Sequence, residues 1–103
     1  MRMLMTVKMP VEAGNELTRD GELNKKIKAI VDEMKPEAVY FTASWGMRSA
    51  YIFFDLADAS QIPVLAEPWF LAVNAAIEIK PVMTPEDLMK ADPGIKAAVE
   101  KYG

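Results

Sequence analysis

Five side chains in this sequence have the types and spacing to bind a small molecule or move a proton on it: Lys8, Tyr40, Tyr51, Glu78 and Lys80. Glu78 and Lys80 stand two apart in an alternating run, so a strand places both on one face. A carboxylate flanked by ammonium groups in a partly apolar enclosure is suited to general acid–base work. On that reading Glu78 is the catalytic residue, Lys80 and Lys8 hold it, and Tyr40 and Tyr51 orient an aromatic substrate. The competing reading is a cross-strand ion-pair ladder near a sheet rim, which is the commoner use of such residues. The tyrosines then bury their rings at an interface and keep their hydroxyls wet. Thr42, Ser44 and Ser49 share their alternation phase and add hydroxyls to the same face.

The rest of the composition excludes more than it suggests. There is no histidine and no cysteine, which removes Ser-His-Asp and Cys-His catalysis, imidazole and thiolate metal sites, and haem held by either residue. No Asp-rich loop has the pattern of a calcium site, and the five glycines are isolated, so no phosphate-cradling loop is present. No cofactor and no metal are expected. A net charge of −3 with scattered basic residues argues against nucleic acid as partner. No apolar run is long enough to span a bilayer, and the absence of cysteine suits the cytoplasm. At 103 residues the chain is expected to form one domain, with a core over 2–83 and a helical tail over 84–103.

Which elements position the candidate residues follows from periodicity. Period-two alternation predicts strands over 3–9, 38–45, 48–56 and 75–83, and helical character fills 15–35 and 59–72, giving the order βαββαβ. In the first helix Leu23, Ile27, Ile30, Val31 and Met34 form an apolar stripe. Asn15 is the expected N-cap, or, because Gly21 weakens the first turns, the helix starts nearer Asp20; Pro36 stops it. Gly46 marks a tight hairpin turn. Asp58 or Ser60 caps the second helix, Pro63 suits its first turn, and Pro68 is expected to end or kink it, with residues 67–70 an irregular exit. Asp55 is expected to cap, Arg48 to be solvated, with binding of a substrate carboxylate as its minority reading, and Trp69-Phe70 to plug the core. Thr84-Pro85-Glu86-Asp87 reads as an N-cap, a first-position proline and an acidic first turn. The helix restarted at Asp92-Pro93 carries Ile95, Val99 and Tyr102 on one side, so it should dock on its own subunit or on a second one.

Sorting the strands by face gives two unlike surfaces. Met3, Met5, Val7, Met9, Val39, Phe41, Ala43, Trp45, Ala50, Ile52, Phe54, Leu56, Ala75, Ile77 and Ile79 are all apolar and are expected beneath the helices. The opposite face mixes Leu4, Tyr51, Phe53 and Val82 with Lys8, Glu78 and Lys80. Right-handed crossovers put both helices on the first side. The mixed face is too apolar to be left to solvent, and the simplest cover is the same face of a second copy. The expected partner is therefore the chain itself, as a homodimer, with a small-molecule ligand as a further one.

The segment SAYIFFDLADAS…VLAEPWFLAVNAAIEIKPVMTPEDL, together with the opening MLMTVKMPVE, resembles the dimeric α+β barrel (ferredoxin-like) superfamily. The muconolactone-isomerase-like and uncharacterised branches are the most similar. The shared features are a hairpin strand ending in Phe54-Asp55, a short helix, the Pro68-Trp69-Phe70 run and the last strand around Ile77-Glu78-Ile79. The resemblance covers most of 3–88. It implies an α+β fold, with a four-stranded antiparallel sheet and helices on one face, pairing into a barrel. The superfamily includes cofactor-free isomerases and monooxygenases, haem enzymes that use a histidine this chain lacks, and ligand-sensing modules. No branch's catalytic motif matches residue by residue. Two function classes follow: a cofactor-free enzyme of isomerase or monooxygenase type acting on a small aromatic or lactone-like molecule, or a non-catalytic module that binds a metabolite or another protein.

Overall fold

A computed structural model describes all 103 residues. The chain runs through β1 (Arg2–Met9), α1 (Val11–Arg19), α2 (Leu23–Met34), β2 (Ala38–Ser44), β3 (Met47–Asp55), a 3-10 turn (Ala59–Gln61), α3 (Ile62–Val73), β4 (Ala76–Pro81), α4 (Pro85–Lys90) and α5 (Asp92–Tyr102). The four strands form one antiparallel sheet in the order β2-β3-β1-β4. With α2 and α3 packed on one face, this is the ferredoxin-like α+β fold expected from the alternation. No helix is long and apolar enough to cross a membrane.

The core lies between the apolar sheet face and the helices. Met3, Met5, Val7, Met9, Ala50, Ile52 and Phe54 come from the two central strands. They meet Leu23 and Ile30 of α2 and Trp69 and Val73 of α3. Trp69 is completely buried and plugs this core; its indole N–H has no hydrogen-bond partner.

The helical segments differ from expectation in ways that have local causes. The first helix begins at Val11, directly after Pro10, so Asn15 lies inside a helix and is not its cap. Gly21 adopts a left-handed conformation at φ 72° and splits the expected single helix into α1 and α2, a break glycine makes at no steric cost. Pro68 does not end α3, which continues to Val73 and is closed by left-handed Asn74. Proline removes one backbone donor, and the helix keeps its course because Ala66, Trp69 and Val73 anchor it to the core on either side. Asp58 caps the 3-10 turn by accepting from Ser60 N–H. Asp55 caps nothing and instead accepts from the Met1 amino group at 2.9 Å.

The hairpin turn sits one residue earlier than the alternation implied. Trp45 and Gly46 form a two-residue loop with φ of 55° and 75°, the all-positive geometry that matches strand twist. Trp45 thus leaves the strand's alternation and is 89% exposed, not part of the covered face. Phe41 does sit on the helix-side face, yet it remains 55% exposed because the helices leave the edge strand β2 partly uncovered.

The tail helices form as predicted. Thr84 and Asp87 make a reciprocal capping box: Thr84 Oγ1 accepts from Asp87 N–H at 3.2 Å, and Asp87 Oδ2 accepts from Thr84 N–H at 3.0 Å. Hydrogen bonding to the carboxylate from the Thr84 backbone N–H first, and from the Thr84 hydroxyl second, holds the Asp87 carboxyl below the usual range. Docking on the same subunit does not occur, since every residue from 85 to 103 is exposed. The molecule is consequently long, 59 × 28 × 20 Å with a radius of gyration of 17.4 Å, against about 13 Å for a compact chain of this length.

Candidate functional site

Strand register assembles the candidate residues into ordered rows. On the face that no helix covers, Tyr40 pairs with Tyr51, Tyr51 with Thr6, and Thr6 with Glu78. One row therefore crosses all four strands, with neighbours about 5 Å apart. The row on one side carries Phe53, Leu4 and Lys80, and the row on the other carries Ser49, Lys8 and Ala76. Glu78 thus stands between an apolar end and a polar end of the sheet, with one lysine in each flanking row.

The polar end is concave. A hollow of about 350 Å³ is lined there by Thr6 and Lys8 of β1, Tyr51 of β3, Glu78 of β4, and Ser44 and Trp45 at the hairpin. Three of the five candidate residues, Lys8, Tyr51 and Glu78, meet at this hollow. Tyr40 and Lys80 stay outside it. Lys80 Nζ lies 3.3 Å from Glu78 Oε1, with both side chains more than half exposed, where such a pair contributes about 0–1 kcal/mol. Lys8 makes no ion pair. Tyr40 is 63% exposed beside Tyr51. Ser49 shares the face but is buried, and its hydroxyl donates to the Met47 carbonyl, so it is committed to the hairpin. The hollow offers a carboxylate, an ammonium group and hydroxyls on an aromatic wall, which suffices for acid–base chemistry or for binding a hydroxylated ring.

Sequence reasoning missed two site features. Trp45 walls the hollow because the turn ejects it from the covered face, and the Trp45-Gly46 pair was the available signal. Arg48 is only partly solvated. It lies on the helix-side face, half-buried, with its Nη1 donating to Asn15 Oδ1 at 3.1 Å. The alternation phase of β3 already put Arg48 on that face, with Ala50 and Ile52.

No family model matches this sequence, and no curated protein does. Among solved structures, the chain is similar to 5-chloro-2-hydroxyhydroquinone dehydrochlorinase from Burkholderia phenoliruptrix AC1100, in complex with 2,5-dihydroxybenzoquinone. The TM-score is 0.64 at 12% identity, covering 84% of this chain and 97% of that one. At that identity the likeness is one of fold, and the shared fold is the ferredoxin-like α+β one. A formyltetrahydrofolate deformylase from Pseudomonas putida KT2440 also aligns, with a TM-score of 0.49, 16% identity, 80% of this chain and 29% of that one.

Proposed function

We propose that the chain works as a homodimer whose two sheets pack mixed face to mixed face and hold a small aromatic molecule between them. The observation that carries this reading is the hollow itself: Lys8, Tyr51 and Glu78 converge around it on the one sheet face left without a helix. A second copy over that face covers Leu4 and Phe53 and turns an open hollow into an enclosed chamber. Such a cover needs to bury about 2,000 Å² or more, as obligate interfaces do.

In that chamber Glu78 transfers the proton, with Lys80 and Lys8 balancing its charge and Tyr40 and Tyr51 orienting the ring. The similar dehydrochlorinase structure holds a dihydroxybenzoquinone, a molecule of the size and polarity this lining suits. Proton transfer requires no group beyond the chain's own residues, which suits a cofactor-free isomerase; a cofactor-free monooxygenase would take dioxygen as co-substrate and its electrons from the aromatic substrate itself. The non-catalytic alternative uses the same chamber to bind a metabolite without turnover.

Titration of the protein with 2,5-dihydroxybenzoquinone, catechol and hydroquinone, followed by amide chemical shifts, tests this reading. Saturable shifts at Thr6, Lys8, Tyr51 and Glu78 are expected from at least one of these probes, and Lys8→Met should weaken its binding. No saturable shift on the mixed face from any of the three rejects the chamber. With a substrate in hand, Glu78→Gln should lower turnover by about 10²–10⁴-fold with the dimer intact. An unchanged rate reduces Glu78 to its ion pair with Lys80.

A further inference from the structure

The larger cavity of the molecule is on the other side of the sheet. Beneath the uncovered edge strand β2, α2 stands off the sheet and leaves an open-mouthed space of about 640 Å³. Its wall is apolar where Met9, Leu23, Ile27, Val31 and Phe41 line it. That volume falls within the range of small-molecule sites, about 300–1,000 Å³, and the rest of the lining is polar or charged: Thr18, Asn24, Lys28, Asp32 and Arg48.

One of those polar groups is Arg48, and its surroundings are unusual. A guanidinium has five N–H donors in a planar fork. Here one of them meets the neutral Asn15 side chain, and no carboxylate lies within 4 Å. Asp32, at the same cavity, is taken by Lys28 at 2.6 Å. α1 makes room for the arginine with a buried glycine: a Cβ on Gly14 would lie 2.8 Å from Arg48 Nη1. The fold thus seats a cation against an apolar cavity and leaves it without an anion.

We propose that this cavity binds an amphipathic monocarboxylate, its carboxylate held by the fork of Arg48 and its hydrocarbon part against Ile27, Val31 and Phe41. A single guanidinium matches a single carboxylate through two parallel hydrogen bonds. A helix from a second copy is the wrong size, because eleven residues of α5 span about 16 Å at a diameter of about 10 Å. The site is independent of the mixed-face chamber, since it lies on the opposite side of the sheet.

The test is an amide-shift titration of the full chain with sodium decanoate, and with decan-1-ol as the neutral control. Saturable decanoate shifts are expected at Met9, Leu23, Ile27, Val31 and Phe41. Arg48→Met should weaken decanoate at least tenfold while leaving decanol unchanged. Asn24→Trp, an exposed rim position on α2, should fill the cavity and weaken both ligands without touching the guanidinium; it decides the matter if Arg48→Met does not fold. Equal decanoate affinity in Arg48→Met or in Asn24→Trp overturns the proposal. So do shifts confined to Thr6, Lys8, Tyr51 and Glu78, an absence of saturable binding up to about 1 mM, or binding seen only after residues 92–103 are removed.

Discussion

Gly14→Ala isolates the contact that seats Arg48, and its sign depends on which of two effects is larger. Replacing a helical glycine by alanine normally stabilises by about 0.5–1 kcal/mol. At this position the new Cβ would stand 2.8 Å from Arg48 Nη1 and 3.4 Å from Arg48 Cδ. The guanidinium, the far end of a flexible side chain, must therefore shift, and the destabilising side of the balance rests on its 3.1 Å bond to Asn15 being lost with that shift. A hydrogen bond to a charged group is worth about 1.5–3 kcal/mol, and half-burial puts this one near the low end. The balance is a net destabilisation of about 0.5–1 kcal/mol, a fall in Tm of a few degrees for a chain of this size. In an Arg48→Met background no guanidinium is displaced, so the same substitution should stabilise by about 0.5–1 kcal/mol. Urea unfolding of the four proteins in the cycle measures the difference, and coupling of about 1–2 kcal/mol is expected. If Gly14→Ala stabilises both backgrounds equally, Arg48 is not held against α1, and the reasoning about its cavity loses its footing.

Three further outcomes follow from the packing. Ile52 is fully buried between Met5 and Val39 at the centre of the helix-side face, so Ile52→Ala should cost about 2–5 kcal/mol in denaturant unfolding. Deleting residues 92–103, all exposed, should leave the unfolding free energy of the monomeric core within about 0.5 kcal/mol while weakening dimerisation seen by sedimentation. Asp87 has its carboxyl held below the usual range by hydrogen bonding to it from the Thr84 backbone N–H and hydroxyl, so the ionised form favours the folded cap. That contribution is fully present above about pH 4 and is lost as pH falls through the lower folded value. Amide shifts of α4 should therefore show fraying only at the acid end, and Asp87→Asn should abolish that pH dependence.

The strands were legible in the sequence because a sheet with one dry face writes a strict period of two, and every register pair between β1, β3 and β4 keeps the expected faces. The capping box at Thr84 was legible because it depends on neighbours close in sequence; of the Trp69-Phe70 pair read as a core plug, only Trp69 is buried, and Phe70 is 42% exposed. What escaped was set by contacts far apart in the chain. Asn15 reads as a cap locally, yet it serves Arg48, 33 residues away. Pro68 reads as a terminator, yet α3 is anchored to the core beyond it. Trp45 and Phe41 both belong by pattern to a covered face. A left-handed turn removes the first, and the reach of α2 over the edge strand decides the second. Of the candidate site, the common face of Lys8, Tyr51, Glu78 and Lys80 was readable from spacing. The hollow that gathers only the first three depends on where the hairpin places Trp45.

The central claim is that a second copy covers the mixed face, and sedimentation equilibrium tests it most directly. At low micromolar concentration the protein should sediment at twice the 11.5 kDa chain mass. Phe53→Lys, which places a charge amid Leu4 and Tyr51 on that face, should return it to the chain mass with its secondary structure intact. A wild-type protein that remains at 11.5 kDa, or a Phe53→Lys variant that stays dimeric, would contradict the account.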